Sequence, residues 1–402
     1  HHLLGCIGLD QKTWTVTHFV ERALAVIEEI RSRGRLPILV GGTHYYTQSL
    51  LFRDALVDED GGSDQYGEAA RDLRNEFPIL QEPTETLLAK LREVDPVMAD
   101  RWHPNERRKI QRSLEIWLKT GKPASQIYAE QQTARISTDT LKELAEDTGI
   151  EDNQKDGATM RFPTLMLWVH ASTEALRARL DARVDTMIEN GLLFEVKTLD
   201  QYLHEQKAKG SSVDRTCGIW VSIGYKEFEA YQAALNSGNC KEAELQKLKA
   251  DAIEKTQTAT RQYAKRQVRW IRTKLLHALS AAGATDKLFL LDGSDLATWR
   301  KSVQHTAFQL TQAFLDGAEL PAPHSLSQAA SEMLVPKTDH DMSQRQDLWQ
   351  RRVCEACNIT AVTESDWNLH IKSRNHRRAV SARKKVNQSP SIKHAQIGRA
   401  HV

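Results

Sequence analysis

The sequence has no surplus of either charge. Its 55 Lys+Arg face 53 Asp+Glu, a net charge of +2 over 402 residues, so there is no global field to draw in a polyanion and any nucleic-acid site must be a local patch. No apolar run approaches the roughly 18 residues that a membrane-spanning helix needs, and no membrane partner is expected. Cysteine is scarce. Cys6, Cys217 and Cys240 are scattered, and only Cys354 and Cys357 lie close together, which predicts reduced thiols and one metal site in place of a disulfide framework. An initiating Met is also missing. The chain opens HHLLGCIGLD and is read as a fragment whose targeting segment cannot be assessed. At the other end Gln396 to Val402, QIGRAHV, back-translates to a common sequencing-adapter read and is expected to be non-native. The length leaves room for about two or three domains.

What is present points to an α/β core. Thr17 to Arg33 has helical apolar spacing and ends at Gly34, a stop signal. Leu36 to Val40, LPILV, is a short continuous apolar run and predicts a buried parallel strand. Gly41, Gly42 and Thr43 follow it and lead into a helix, an arrangement that puts bare backbone N–H groups at a sheet edge, although a tight turn needs glycines anyway. Pro163 to Val169 and Leu288 to Leu291 are further strand candidates, and a long helix is predicted from Ser172 to Asp200. Gly317 to Met342, rich in Pro, Ser and Ala, reads as a flexible linker.

Two cationic stretches stand out. Arg261 to Leu276 carries six basic side chains and no acidic one. In a helix, Arg261, Lys265, Arg269 and Arg272 fall within an arc of about 80°, beside a stripe of Ala264, Val268, Ile271 and Leu275. Fixed cations at fixed spacing suit a phosphodiester backbone or a diphosphate, whereas the plainer reading is a solvated face. Arg107, Arg108, Lys109 and Arg112 form a second cluster with Gln111, on a helix capped by Asn105 whose buried stripe is Ile110, Leu114 and Trp117. Glu106 and Glu115 stand ready as ion-pair partners for it.

Near the C-terminus, Cys354-x2-Cys357-x12-His370-x5-His376 has the spacing that closes a tetrahedral Zn2+ site from a hairpin and a helix, with Trp367 and Leu369 as its small core. Its WNLHIKSRNH segment resembles the U1-type or matrin-type finger of RNA-associated proteins. Arg374, Arg377, Arg378, Arg383, Lys384 and Lys385 add a basic tail, read as a second grip on RNA.

The blocks VGGTHYY, HPNERRKIQRSLEI, ARLDARVDTMIENGLLFEV, IGYKEF and TRQYAKRQVRWIR resemble, in order and spacing, the tRNA dimethylallyltransferases, also called tRNA isopentenyltransferases. The resemblance covers about Leu3 to Leu315 and, with the finger, points to the eukaryotic type. It implies a P-loop-kinase-like α/β fold: a parallel sheet core in 1–56 and 161–316, a helical insertion domain in 57–160, a linker over 317–345, a zinc finger over 346–386 and a disordered 387–402. It implies transfer of the dimethylallyl group of dimethylallyl diphosphate to N6 of adenosine 37 of tRNA, with Mg2+ on the diphosphate and structural Zn2+ in the finger. Lys226 is then the candidate for the leaving diphosphate; relatives carry arginine there, and lysine keeps the charge without the bidentate fork. Gly41, Gly42 and Thr43 become substrate-binding. Arg108, Lys109, Ile110, Gln111, Arg112, Lys265, Arg266, Gln267, Arg269, Trp270 and Arg272 would hold the anticodon stem-loop, with Trp270 readable as a stacking surface or as a core tryptophan.

The family's phosphate loop and general-base Asp are expected upstream of His1, so the chain as given is expected to be inactive. A monomer is expected, in the cytoplasm, with the mitochondrion and nucleus as further compartments. The alternatives are a non-catalytic RNA-binding protein that keeps the fold and the finger, and a nucleotide kinase, which would need neither basic helix.

Overall fold

A computed structural model describes residues 1–11, 13–53, 77–130, 160–215, 217–337 and 349–388. In chain order its principal elements are α1 (Val16–Ser32), α2 (His44–Leu51), α3 (Thr84–Val94), α4 (Pro96–Arg101), α5 (Arg107–Thr120), β1 (Met166–His170), α6 (Thr173–Glu189), α7 (Leu192–Ala208), α8 (Glu229–Ser237), α9 (Glu242–Trp270), α10 (Leu276–Ala281), β2 (Leu288–Asp292), α11 (Thr306–Leu315), α12 (Gln328–Met333), β3 (Trp349–Cys354), β4 (Ile359–Thr363), α13 (Glu364–Lys372) and α14 (Arg374–Gln388). They form two compact units, one built on 1–53 and 160–337 and the other on 77–130 and 349–388.

In the first unit β1 and β2 pair in parallel, from Met166 opposite Leu288 to His170 opposite Asp292. Leu288 to Leu291 are all buried, as a β-branch-free apolar run can be when both faces of a strand are covered. Below them Phe52, Ile271, Leu276 and Leu279 form one core cluster, and Phe289, Leu291, Val303 and Leu310 form another. α1 begins where expected, capped by Thr15, whose hydroxyl accepts the His18 N–H at 3.2 Å. The helix expected from Ser172 breaks at Gly191, which holds φ +108° between α6 and α7. Only glycine takes that conformation at little cost.

Two expectations need correction in this unit. Leu36 to Val40 is not a strand: it has no ladder partner, and Ile38 and Val40 are 77% and 88% exposed. An apolar run becomes a buried strand only when neighbouring strands take its backbone hydrogen bonds, and among the described residues β1 and β2 bond only to each other. Nor is the segment after Gly317 a free linker as far as it is described. Leu320 and Leu326 pack on the β2 cluster, α12 buries Ala330 completely, and the Lys337 N–H donates to the Arg272 carbonyl at 3.0 Å. Small Ala and Ser residues, read as linker composition, here let α12 approach closely.

The second unit packs α3, α4 and α5 around Leu87, Leu91, Met98, Ile110 and Leu114. Asp95, 1% exposed, ties two segments: its carboxylate accepts the Met98 N–H at 3.2 Å and the Ser125 N–H at 2.9 Å. The N-cap position of α5 falls on Glu106, not on the expected Asn105, and no side chain caps the helix there. β3 and β4 form an antiparallel hairpin followed by α13 and α14. The finger core is smaller than expected: Cys354 and Ala361 are buried and Trp367 is half-buried, but Leu369 is 68% exposed. A metal-closed module needs little apolar core, which frees that side chain.

At the carboxyl end of β1, burial holds His170 below the ordinary histidine value of 6.5, although Asp292 opposes the shift. A base whose folded value is depressed adds stability that is full above 6.5 and fades as pH falls through the folded value. The melting temperature of the first unit should therefore drop on acidification below about pH 6.5. The drop should flatten in His170→Gln, as differential scanning calorimetry across that range will show.

Candidate active site and basic helix

The Gly41-Gly42-Thr43 turn is held by α9. Gln267 Nε2 donates to the Gly42 carbonyl at 2.8 Å, and the Tyr263 hydroxyl lies 3.2 Å from Thr43 Oγ1. One turn further on, Trp270 Nε1 donates to Gln48 Oε1 at 3.0 Å, and its ring meets Tyr45 edge-on at 6.1 Å. Residues 263, 267 and 270 are spaced i, i+4, i+7, a single stripe of the helix. A Cβ added at Gly42 would lie 2.0 Å from Gln267 Nε2, so any larger residue there would displace the Gln267 amide from this contact. Beside the turn, burial lowers the pKa of His44, which keeps its imidazole neutral at physiological pH.

Away from that stripe, Lys265, Arg266 and Arg269 are exposed, with Lys265 and Arg269 at about 200–240° around the helix from Tyr263 and Arg266 at about 300°, next to Trp270. The other cations of the stretch are engaged. Arg261 pairs with Asp181 of α6 and also donates to Thr258 Oγ1 at 2.9 Å. After Trp270 the helix widens into a π turn over Ile271–Leu275, which re-aims Arg272. Its guanidinium donates to the carbonyls of Glu332 at 3.4 Å and Val335 at 3.3 Å. The sequence reading gives Gln267, Trp270 and Arg272 to RNA; in the structure each also makes a side-chain hydrogen bond to protein. Tyr263 and Asp181 were not singled out at all, though the 263/267/270 spacing is visible in the sequence.

Lys226 follows Gly224, which adopts φ +102°. Its ammonium is half-exposed, 3.8 Å from Glu227 Oε1, while Glu227 Oε2 accepts the Gly224 N–H at 2.9 Å. Glu227 thus holds the turn and leaves the lysine charge facing solvent.

In the second unit the α5 cluster is mostly committed to its own helix. Lys109 pairs with Glu106 at 2.9 Å and lies 4.9 Å over the Trp102 ring. Arg112 pairs with Glu115 at 3.5 Å, and Gln111, buried, donates to Glu115 at 3.0 Å. Ile110 is fully buried among Leu87, Leu91 and Leu114. An aliphatic side chain sealed in a core cannot touch RNA, so its place among RNA-binding residues is corrected. Arg108 remains exposed.

Cys354, Cys357, His370 and His376 converge at the base of the finger with all ligand atoms within 4.8 Å of one another. His376 Nδ1 lies 3.4 Å from Cys354 Sγ, 3.6 Å from Cys357 Sγ and 3.2 Å from His370 Nε2. Around Zn–S bonds of about 2.3 Å and Zn–N bonds of about 2.0 Å, tetrahedral geometry sets ligand separations of roughly 3.3–3.8 Å. The donor set therefore fits a Zn2+ ion. Without a cation, burial and the neighbouring Cys354 push the Cys357 thiol up.

Residues 1–274 match the protein family described as IPP transferase. The tRNA dimethylallyltransferase of Schizosaccharomyces pombe is 33% identical over 408 residues, covering 99% of this chain and 86% of that protein. The human tRNA dimethylallyltransferase is 29% identical and covers 96% of this chain and 75% of its own length. A solved structure described as snapshots of a eukaryotic dimethylallyltransferase acting on tRNA superposes with a TM-score of 0.65 at 30% identity, over 94% of this chain and 81% of that one. Matched by the family over most of its length and by a relative over nearly all of it, the chain belongs to the IPP transferase family, that of the tRNA dimethylallyltransferases.

Proposed function

We propose that this chain transfers the dimethylallyl group of dimethylallyl diphosphate to N6 of adenosine 37 in the anticodon loop of a tRNA. The observation that carries the reading is the docking of the Gly41-Gly42-Thr43 turn on the inner stripe of α9, while Lys265, Arg266 and Arg269 line the outer side. One helix thereby serves a candidate small-molecule site and a candidate RNA surface. Breaking an allylic C–O bond builds negative charge on the diphosphate, so a cation at the leaving group stabilises the transition state more than the ground state. Lys226, held outward by its turn, is our candidate for that cation. Mg2+ would sit on the diphosphate oxygens, the ligands it prefers.

The target adenine has to leave the stack to meet the electrophile, as base-modifying enzymes generally require. RNA would be gripped by Lys265, Arg266 and Arg269, with Arg108 and the basic α14, which carries the finger's His376, as further contacts from the second unit. The protein is proposed to act as a monomer, in the cytoplasm with the mitochondrion and nucleus as further compartments.

The test takes the protein carrying the family's phosphate-loop and Asp-bearing segment upstream of His1, incubates it with dimethylallyl diphosphate, Mg2+ and an anticodon stem-loop bearing adenosine at position 37, and reads the RNA by mass spectrometry. One added dimethylallyl group, lost in Lys226→Ala, is expected. Stem-loop binding without prenyl transfer would favour the RNA-binding alternative.

A further inference from the structure

We infer that Gln267 is a positioning residue, which fixes the Gly41–Thr43 turn from inside the basic helix so that bound RNA and the turn share one rigid frame. The inference rests on the functional reading above. Its side-chain amide is half-buried and directs one of its two N–H donors at the Gly42 carbonyl at 2.8 Å. A neutral donor pointed at protein backbone contributes nothing to a phosphate grip, yet its sequence neighbours Lys265, Arg266 and Arg269 all face outward. Residue 42 is built around this contact: Gly42 does not adopt a left-handed φ, and its missing Cβ is the space that Nε2 occupies.

The frame extends beyond one bond. Tyr263 and Trp270 bracket Gln267 on the same stripe, at Thr43 and at Gln48. Beyond the π turn Arg272 ties the same helix to the backbone of 332–335. Stretch 263–272 is therefore pinned along its length. A displacement of α9 by a polyanion on its outer face reaches the turn through Gln267 without any loop rearrangement. Misplacement of a reacting group by about 1 Å can lower a rate on the order of a hundredfold, so a contact of this kind bears on catalysis without touching substrate.

The test uses the full chain and compares Gln267→Ala, Gln267→Glu, Gly42→Ala and the Gly42→Ala/Gln267→Ala double variant. First, amide exchange is read without RNA. Loss of one hydrogen bond to the turn should speed exchange across 41–47 by about tenfold in Gln267→Ala. Second, in the protein carrying the upstream phosphate-loop segment, the Kd for the stem-loop should change by less than about threefold, while the single-turnover transfer rate falls about 10- to 100-fold. Third, Gly42→Ala should reproduce the rate loss, and the double variant should be no worse than either single one, because both remove the same contact. Gln267→Glu turns an acceptor toward the Gly42 carbonyl, and its defect should ease as acid protonates the new carboxyl.

Unchanged exchange in Gln267→Ala, additive losses in the double variant, or a Kd that weakens as much as in Arg269→Ala would each overturn the assignment. The exchange rates are read without RNA, so they decide the role of Gln267 even if the unsubstituted chain binds no stem-loop, a result that would sink the functional reading instead.

Discussion

Chelation of zinc, or Cys354→Ser, is expected to unfold residues 349–388 while leaving the first unit folded. Among the described side chains the finger buries little besides Cys354 and Ala361, and an apolar core of that size does not offset about 1–2 kcal/mol of backbone entropy per ordered residue. What closes the module is the four-ligand cluster, and structural Zn2+ in comparable peptides supplies an apparent 10–16 kcal/mol or so near pH 7. Two thiols and two imidazoles drawn within 4.8 Å offer four ligand atoms to a single cation. Native mass spectrometry should find one zinc per chain. Amide protection over β3, β4 and α13 should vanish with EDTA and return with added Zn2+, but not in Cys354→Ser. Protection that survives chelation would show that the hairpin and α13 hold without metal.

How much of this was legible in the sequence depends on whether a signal is local. The Cys354-x2-Cys357-x12-His370-x5-His376 spacing is local, and its ligands converge as read. The apolar runs Pro163 to Val169 and Leu288 to Leu291 were legible for the same reason and became β1 (Met166–His170) and β2 (Leu288–Asp292). Leu36 to Val40 carried an equally strong strand signal and stayed unpaired, because pairing depends on partners that no local pattern specifies. Charge was the least legible property. From composition, Arg261, Lys265, Arg269 and Arg272 are four equivalent cations on one arc. In the fold Asp181 takes the first, the π turn hands the last to the Val335 carbonyl, and two remain outward with Arg266. Long-range partners at sequence separations of 80 and 63 residues decide that division, and a helical wheel contains neither.

That division makes the largest functional prediction. Replacing Lys265, Arg266 and Arg269 together with alanine should weaken stem-loop binding on the order of a hundredfold at physiological salt, and should lower the slope of log Kd against log salt by roughly two to three, since each lost phosphate contact removes about one released counterion. Thermal stability should hardly move, because exposed side chains without buried partners contribute little to folding. Arg272→Ala should do the reverse. Its guanidinium serves backbone carbonyls, and losing charge-assisted hydrogen bonds of this kind costs about 1.5–3 kcal/mol, so α12 should loosen and the melting temperature fall with the salt slope intact. Salt-dependent binding and calorimetry on both variants separate the two roles. If the triple variant kept its full salt slope while Arg272→Ala lost it at unchanged stability, the RNA would have to approach from the side of α9 that the protein itself covers, and the outward row would be no more than a solvated face.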